Sequence, residues 1–160
     1  MAITITTGAS IGIDAPLPVQ SASRLIKNHP AGMLFRFCKY RVENDCALVE
    51  AELEQKLSIG APGFRGALGC LIDCVVQLAS HDPLGDSGIT ELEVGYGEPW
   101  QGGPVRLDAQ ILSREDGLAI FSCSVSSLRD GAHLAQAQGT LCSAGRESGF
   151  NRVGVVSQLA

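Results

Sequence analysis

Apolar and polar residues alternate along six stretches of this chain, and along one central stretch they do not alternate at all. Met33 to Val42, Cys46 to Glu54, Ile89 to Tyr96, Val105 to Leu112, Leu118 to Leu128 and His133 to Cys142 each carry a largely alternating pattern, which predicts half-buried strands. The pattern is cleanest where Phe121, Cys123 and Val125 point one way and Ser122, Ser124 and Ser126 the other. Turn residues separate the strands: Glu43-Asn44-Asp45, Gly117, and Asp130-Gly131. Between the second and third strands, Gly69-Cys70-Leu71-Ile72-Asp73-Cys74-Val75-Val76-Gln77-Leu78 is apolar nearly all round at helical spacing, which predicts a buried helix over about 67–80. A shorter helix is expected from about Pro18 to Asn28, stopped by Asn28-His29-Pro30, because proline disfavours helix in the residue before it. Ile3 and Ile5 alternate only weakly, so residues 1–16 read as a loosely held arm or an added edge strand. The order of helix, two strands, long buried helix and four strands predicts a single α+β domain over 1–160, an antiparallel sheet curled around one central helix, with a polar tail over 143–160.

Asp73 interrupts the apolar helix. An ionised carboxylate in such surroundings costs on the order of several kcal/mol unless it is paired or solvated. Gln77, four residues on, shares its helical face, so the two polar groups converge. A sheet covers a helix on one side only, and an all-apolar helix then needs a further partner. The cheapest is a second copy, with sheets joined edge to edge or helices brought together, so a homodimer or homotetramer is expected.

Composition narrows the function. With 160 residues, 45% of them hydrophobic, the chain can bury a core of its own, and a charged fraction of 18% is not that of a disordered segment. A net charge of −5 argues against binding nucleic acid through a broad basic surface, while a local cationic patch for phosphate stays open. The six cysteines form no C-x-x-C pair and no zinc-type spacing with histidine, and they read as small apolar thiols in a reducing cytoplasm. Cys70 and Cys74 share a helix face, and pairing symmetric about the turn at Asn44 would set Cys38 opposite a residue near Glu50. Met1 to Pro18 lacks the basic start and apolar core of a signal peptide, and no membrane span is expected.

Three motifs in order carry a family resemblance. Gly60-x-Pro62-Gly63-Phe64 runs into a helix with a central acid; Thr90 to Val105 places a Thr, a short apolar strand, a Pro and a Gly before the next strand; and Ala135-Gln136-Ala137-Gln138-Gly139-Thr140 closes on Gly-Thr. Over about Gly32 to Leu141 the chain resembles the hotdog-fold thioesterases, in particular the phenylacetic-acid-degradation type of acyl-CoA thioesterase. The family's loop usually reads Asn or Gln, then His-Gly-Gly, with an acid nine residues after the His. Here the acid matches as Asp73, but without a gap Phe64 stands for the His, Arg65 and Gly66 for the glycines, and Ser58 for the Asn or Gln. With a loop shorter by two, Arg65-Gly66-Ala67 is what remains of the motif.

The resemblance implies a hotdog fold and hydrolysis of an acyl-CoA or related acyl thioester. Asp73 of one subunit would act as nucleophile or general base on a carbonyl held by the other, with Gln77 orienting the water or the acid. The start of the helix near Gly66 would supply the oxyanion donor. Ser58, Phe64 and Arg65 become the expected substrate-binding positions, Arg65 toward a phosphate of coenzyme A. Coenzyme A enters as part of the substrate, and no metal or other cofactor is implied. His29 and His81 have no Ser or Cys partner recognisable by spacing, so a triad is not expected. His133 is expected on the exposed face of the last strand, and Glu91, Glu93 and Glu98 on a solvated one. The altered His-Gly-Gly region favours an alternative, a non-catalytic hotdog module binding an acyl thioester or a protein partner. A hydratase or dehydratase is the weaker third reading, for want of an Asp and His pair.

Overall fold

The computed structural model describes residues 3–6, 17–54, 60–80 and 87–143. Strand β1 (Ile3–Thr6) is followed by helix α1 (Leu17–Asn28), a single turn α2 (Ala31–Leu34), strands β2 (Phe35–Glu43) and β3 (Cys46–Leu53), the long helix α3 (Ala61–Ser80), and strands β4 (Ser87–Tyr96), β5 (Val105–Glu115), β6 (Leu118–Ser127) and β7 (His133–Ser143). All pairings are antiparallel, in one seven-stranded sheet of order β1-β2-β3-β5-β6-β7-β4. This is the hotdog arrangement, a curved sheet against one long helix.

Local chemistry accounts for each element. Pro30 adopts a helical backbone, φ −53° and ψ −32°, and starts α2, whose close is marked by extended Phe35. Helix therefore takes Met33 and Leu34, which alternation assigned to strand, because a proline pre-set to helical φ opens a turn readily. Asn44 and Asp45 both have positive φ, 31° and 64°, as a two-residue hairpin turn requires, and Glu43 pairs with Cys46 across it. Lys39 then faces Glu50, and Cys38 is left as the extra residue at a bulge. Asp116 and Gly117 make the equivalent turn between β5 and β6. Late in β7, Gly139 passes so close to the Glu91 carbonyl that no Cβ fits between them, and beside it the Thr140 and Thr90 hydroxyls share a hydrogen bond of 2.8 Å.

Helix α3 begins at Ala61, six residues before the expected start. The Phe64 N–H donates to the Gly60 carbonyl at 2.9 Å, and Pro62 sits in the first turn, where its missing N–H costs nothing. Its stretch Pro62–Ser80 is long and apolar enough to cross a membrane, yet it is the core helix of this sheet, with 61% of that window buried. Leu68, Leu71, Ile72, Val75, Val76 and Ala79 are buried in one core with Val49, Ala51, Leu107, Ala109, Phe121 and Val125 of the sheet. The expectation of a wholly unpartnered second side is corrected, because α1 and α2 also pack on α3. Among the described residues, what α3 leaves uncovered beyond its first turn is a stripe of Arg65, Gly66, Gly69, Cys70, Asp73 and Gln77. Cys70 thus lies on the uncovered side, while Cys74 is fully buried.

Candidate active site around Asp73

Asp73 stands three turns into α3 with its side chain 32% exposed, and its charge is met by two donors on one oxygen. The Gln77 side chain reaches back one turn and donates from Nε2 to Asp73 Oδ2 at 3.0 Å. His29 approaches from the other side, its Nε2 2.6 Å from the same Oδ2 and its side chain only 11% exposed. The end of α1 places this imidazole: the helix stops at Asn28, Pro30 turns the chain into α2, and the Ala31 N–H donates to His29 Nδ1 at 3.1 Å. A main-chain N–H can only donate, so Nδ1 accepts and Nε2 carries the proton given to Asp73. No described residue bonds Oδ1. The interruption of the apolar helix is thus a partly exposed carboxylate clamped through one oxygen.

The expected site residues divide. Asp73 and Gln77 meet, and His29, which spacing did not single out, joins them from 44 positions away. Its local sign is slight, a histidine held rigid between a helix end and a proline; only the packing of α1 on α3 brings it to the acid. Gly66 is corrected as the helix start: it is the sixth residue of α3, beyond the first turn where N–H groups lie free, although it shares the face of Asp73 two turns away. Phe64 is nine residues before Asp73, two and a half turns, and so points to the opposite side, where it is 3% exposed and stacked on Trp100 at 4.0 Å and 6°. Arg65 lies over the Tyr96 ring at 4.8 Å. These residues line a small surface pocket with Leu68, Pro99 and Leu134, apart from Asp73. Ser58 and His81 lie outside the described residues. His133, Glu91, Glu93 and Glu98 are exposed, as expected.

The thiol next to the acid is not a nucleophile. Burial first, and the Asp73 charge second, push the Cys74 thiol up to about 12, so it stays protonated at neutral pH. Cys123 is likewise pushed up to about 12, by burial and then by Asp108. Among the described residues no three His, Cys, Asp or Glu are grouped to hold a metal ion.

Comparison with solved structures bears out the hotdog fold. The E. coli PaaI protein from the phenylacetic acid degradation operon matches with a TM-score of 0.62 at 15% identity, over 79% of this chain and 93% of that one. A thioesterase family protein from Silicibacter pomeroyi matches at 0.61 and 16%, over 79% and 97%. A mutant of the phenylacetic acid degradation protein PaaI from Thermus thermophilus matches at 0.54 and 23%, over 64% and 88%. These likenesses bear on fold. No protein-family model and no curated protein sequence matches the chain.

Proposed function

We propose that the protein hydrolyses an acyl-CoA or related acyl thioester, with Asp73 as the reacting group. The observation that carries the reading is the clamped carboxylate: Oδ2 held by His29 and Gln77, Oδ1 unbonded by any described residue, on the stripe of α3 that the described residues leave uncovered. As nucleophile, Oδ1 attacks the carbonyl carbon, the C–S bond breaks, and water cleaves the resulting anhydride to free acid and carboxylate. As general base, Asp73 takes a proton from the attacking water and the departing thiolate recovers it. Both routes need a donor for the carbonyl oxygen. The free N–H groups at the positive end of α3 are those of Ala61 and Gly63, about 15 to 18 Å along the helix from Asp73 at 1.5 Å per residue, too far to serve the same carbonyl. A second copy supplies them in this reading, so the working unit is a homodimer or larger. β4 is an edge of the sheet with Leu92 and Tyr96 exposed, and suits such pairing. A cytoplasmic setting suits six free thiols.

The His29–Asp73 pair supplies the acid and histidine whose absence weakened the hydratase reading. Both imidazole nitrogens are nevertheless engaged, one by Ala31 and one by Asp73, leaving neither for a substrate proton. Hydrolysis therefore stays first. The test is release of free thiol from a panel of acyl-CoAs by the wild-type protein. Turnover of at least one member is expected; saturable binding with no thiol released contradicts hydrolysis and leaves the binding module.

A further inference from the structure

We infer that His29 is the positioning residue of this reaction: its Nε2–H locks Asp73 through Oδ2, so that Oδ1 is the oxygen presented to the thioester. The inference rests on the hydrolytic reading of Asp73. Three observations converge on it. The contact is short, 2.6 Å, as charge-assisted hydrogen bonds are, and it falls on the same oxygen that Gln77 binds at 3.0 Å, so two donors, one on α3 and one in the bend between α1 and α2, converge on one carboxylate oxygen. The imidazole is itself fixed, because the Ala31 N–H donates to Nδ1 and holds the proton on Nε2. The backbone that carries it is braced as well: the His29 N–H donates to the Leu25 carbonyl at 2.9 Å, and the His29 carbonyl accepts from Gly32 N–H at 2.9 Å. At that point the chain passes so close to the Ile26 carbonyl that Gly32 has no room for a Cβ. A histidine with both nitrogens committed inside the protein does not move protons to substrate; it orients the group that does.

Thiol release and thermal unfolding of wild type, His29→Leu, His29→Gln and Asp73→Asn separate the possibilities. His29→Leu keeps bulk and loses the donor, and is expected to lower kcat about 10- to 100-fold with little change in KM, the scale found for groups that orient a reacting residue. His29→Gln restores an N–H at the reach of Nε2 and is expected to recover kcat to within several-fold. A His29→Leu protein that unfolds at the wild-type temperature with wild-type kcat overturns the inference. So does a His29→Gln protein as inactive as His29→Leu, since the imidazole would then act chemically. If Asp73→Asn keeps full activity, it is the hydrolytic role of Asp73 that falls instead. A readout independent of turnover is the nitrogen NMR of His29 in the full chain: a proton on Nε2 with Nδ1 accepting is expected, and the opposite tautomer overturns the inference whether or not any thioester is cleaved.

Discussion

The two faces of α3 are built to opposite rules. On the sheet side every side chain from Leu71 to Ala79 that points inward is apolar and sealed, and the helix is located by packing alone. On the other side Gly66 and Gly69 are too small to fill space, and Asp73 and Gln77 are polar and tied to one another. A Cβ added at Gly66 or Gly69 would meet nothing within 4 Å, so the packing of this chain does not demand glycine there. Glycine inside a helix sacrifices about 0.5–1 kcal/mol relative to alanine. One face thus holds the helix still, and the other gives up stability around a carboxylate held in one orientation.

Substitutions can break that contrast. The largest effect belongs to the sealed face: Leu71→Ala should destabilise the protein by about 2–5 kcal/mol in urea unfolding, the range for emptying a fully buried leucine site, and an effect below ~1 kcal/mol would mean the helix is not held by packing. The buried thiols next to that face give a pH signature. Cys74 and Cys123 have folded values near 12, above the ordinary 9.0, so the folded protein retains protons that the unfolded chain has lost. Their contribution is complete below pH 9 and is lost as pH rises toward 12, and unfolding followed against pH should show stability falling over that window. Cys74→Ala should flatten the fall. On the uncovered face, Gln77→Leu removes one of two donors to a partly exposed acid and should lower kcat by about fivefold, corresponding to ~1 kcal/mol. The smallest change is Gly69→Ala, expected to raise stability by up to ~1 kcal/mol because the new methyl meets nothing; destabilisation would place another surface, such as a second copy, against this turn.

How much of this was legible in the sequence follows from which interactions are local. Alternation located the strands because one sheet face is buried: Phe121, Cys123 and Val125 are sealed while Ser122 and Ser124 are half exposed. The turn at Asn44-Asp45 set the hairpin register to within one residue of Cys38, and the bulge there absorbs the difference. Pro62-Gly63 reads as loop in the sequence and so sets the expected start of α3 too late, although a proline in a first turn suits helix equally well. The position of β4 at the far edge, beside β7 rather than β5, depends on pairings that no local pattern encodes. The site was half legible for the same reason. Asp73 and Gln77 are one helical turn apart and announce themselves, whereas His29 meets them only when α1 docks on α3.

The central claim is that Asp73 is kept in α3 for its reactivity and not for the fold. Measuring acyl-CoA hydrolysis and unfolding free energy together on wild type and Asp73→Asn addresses it most directly. The account predicts that kcat falls ~100-fold or more, the scale for removing a general base or nucleophile, while stability changes by less than about 1 kcal/mol. An Asp73→Asn protein that hydrolyses at the wild-type rate, or that loses rate only because it unfolds, would contradict it.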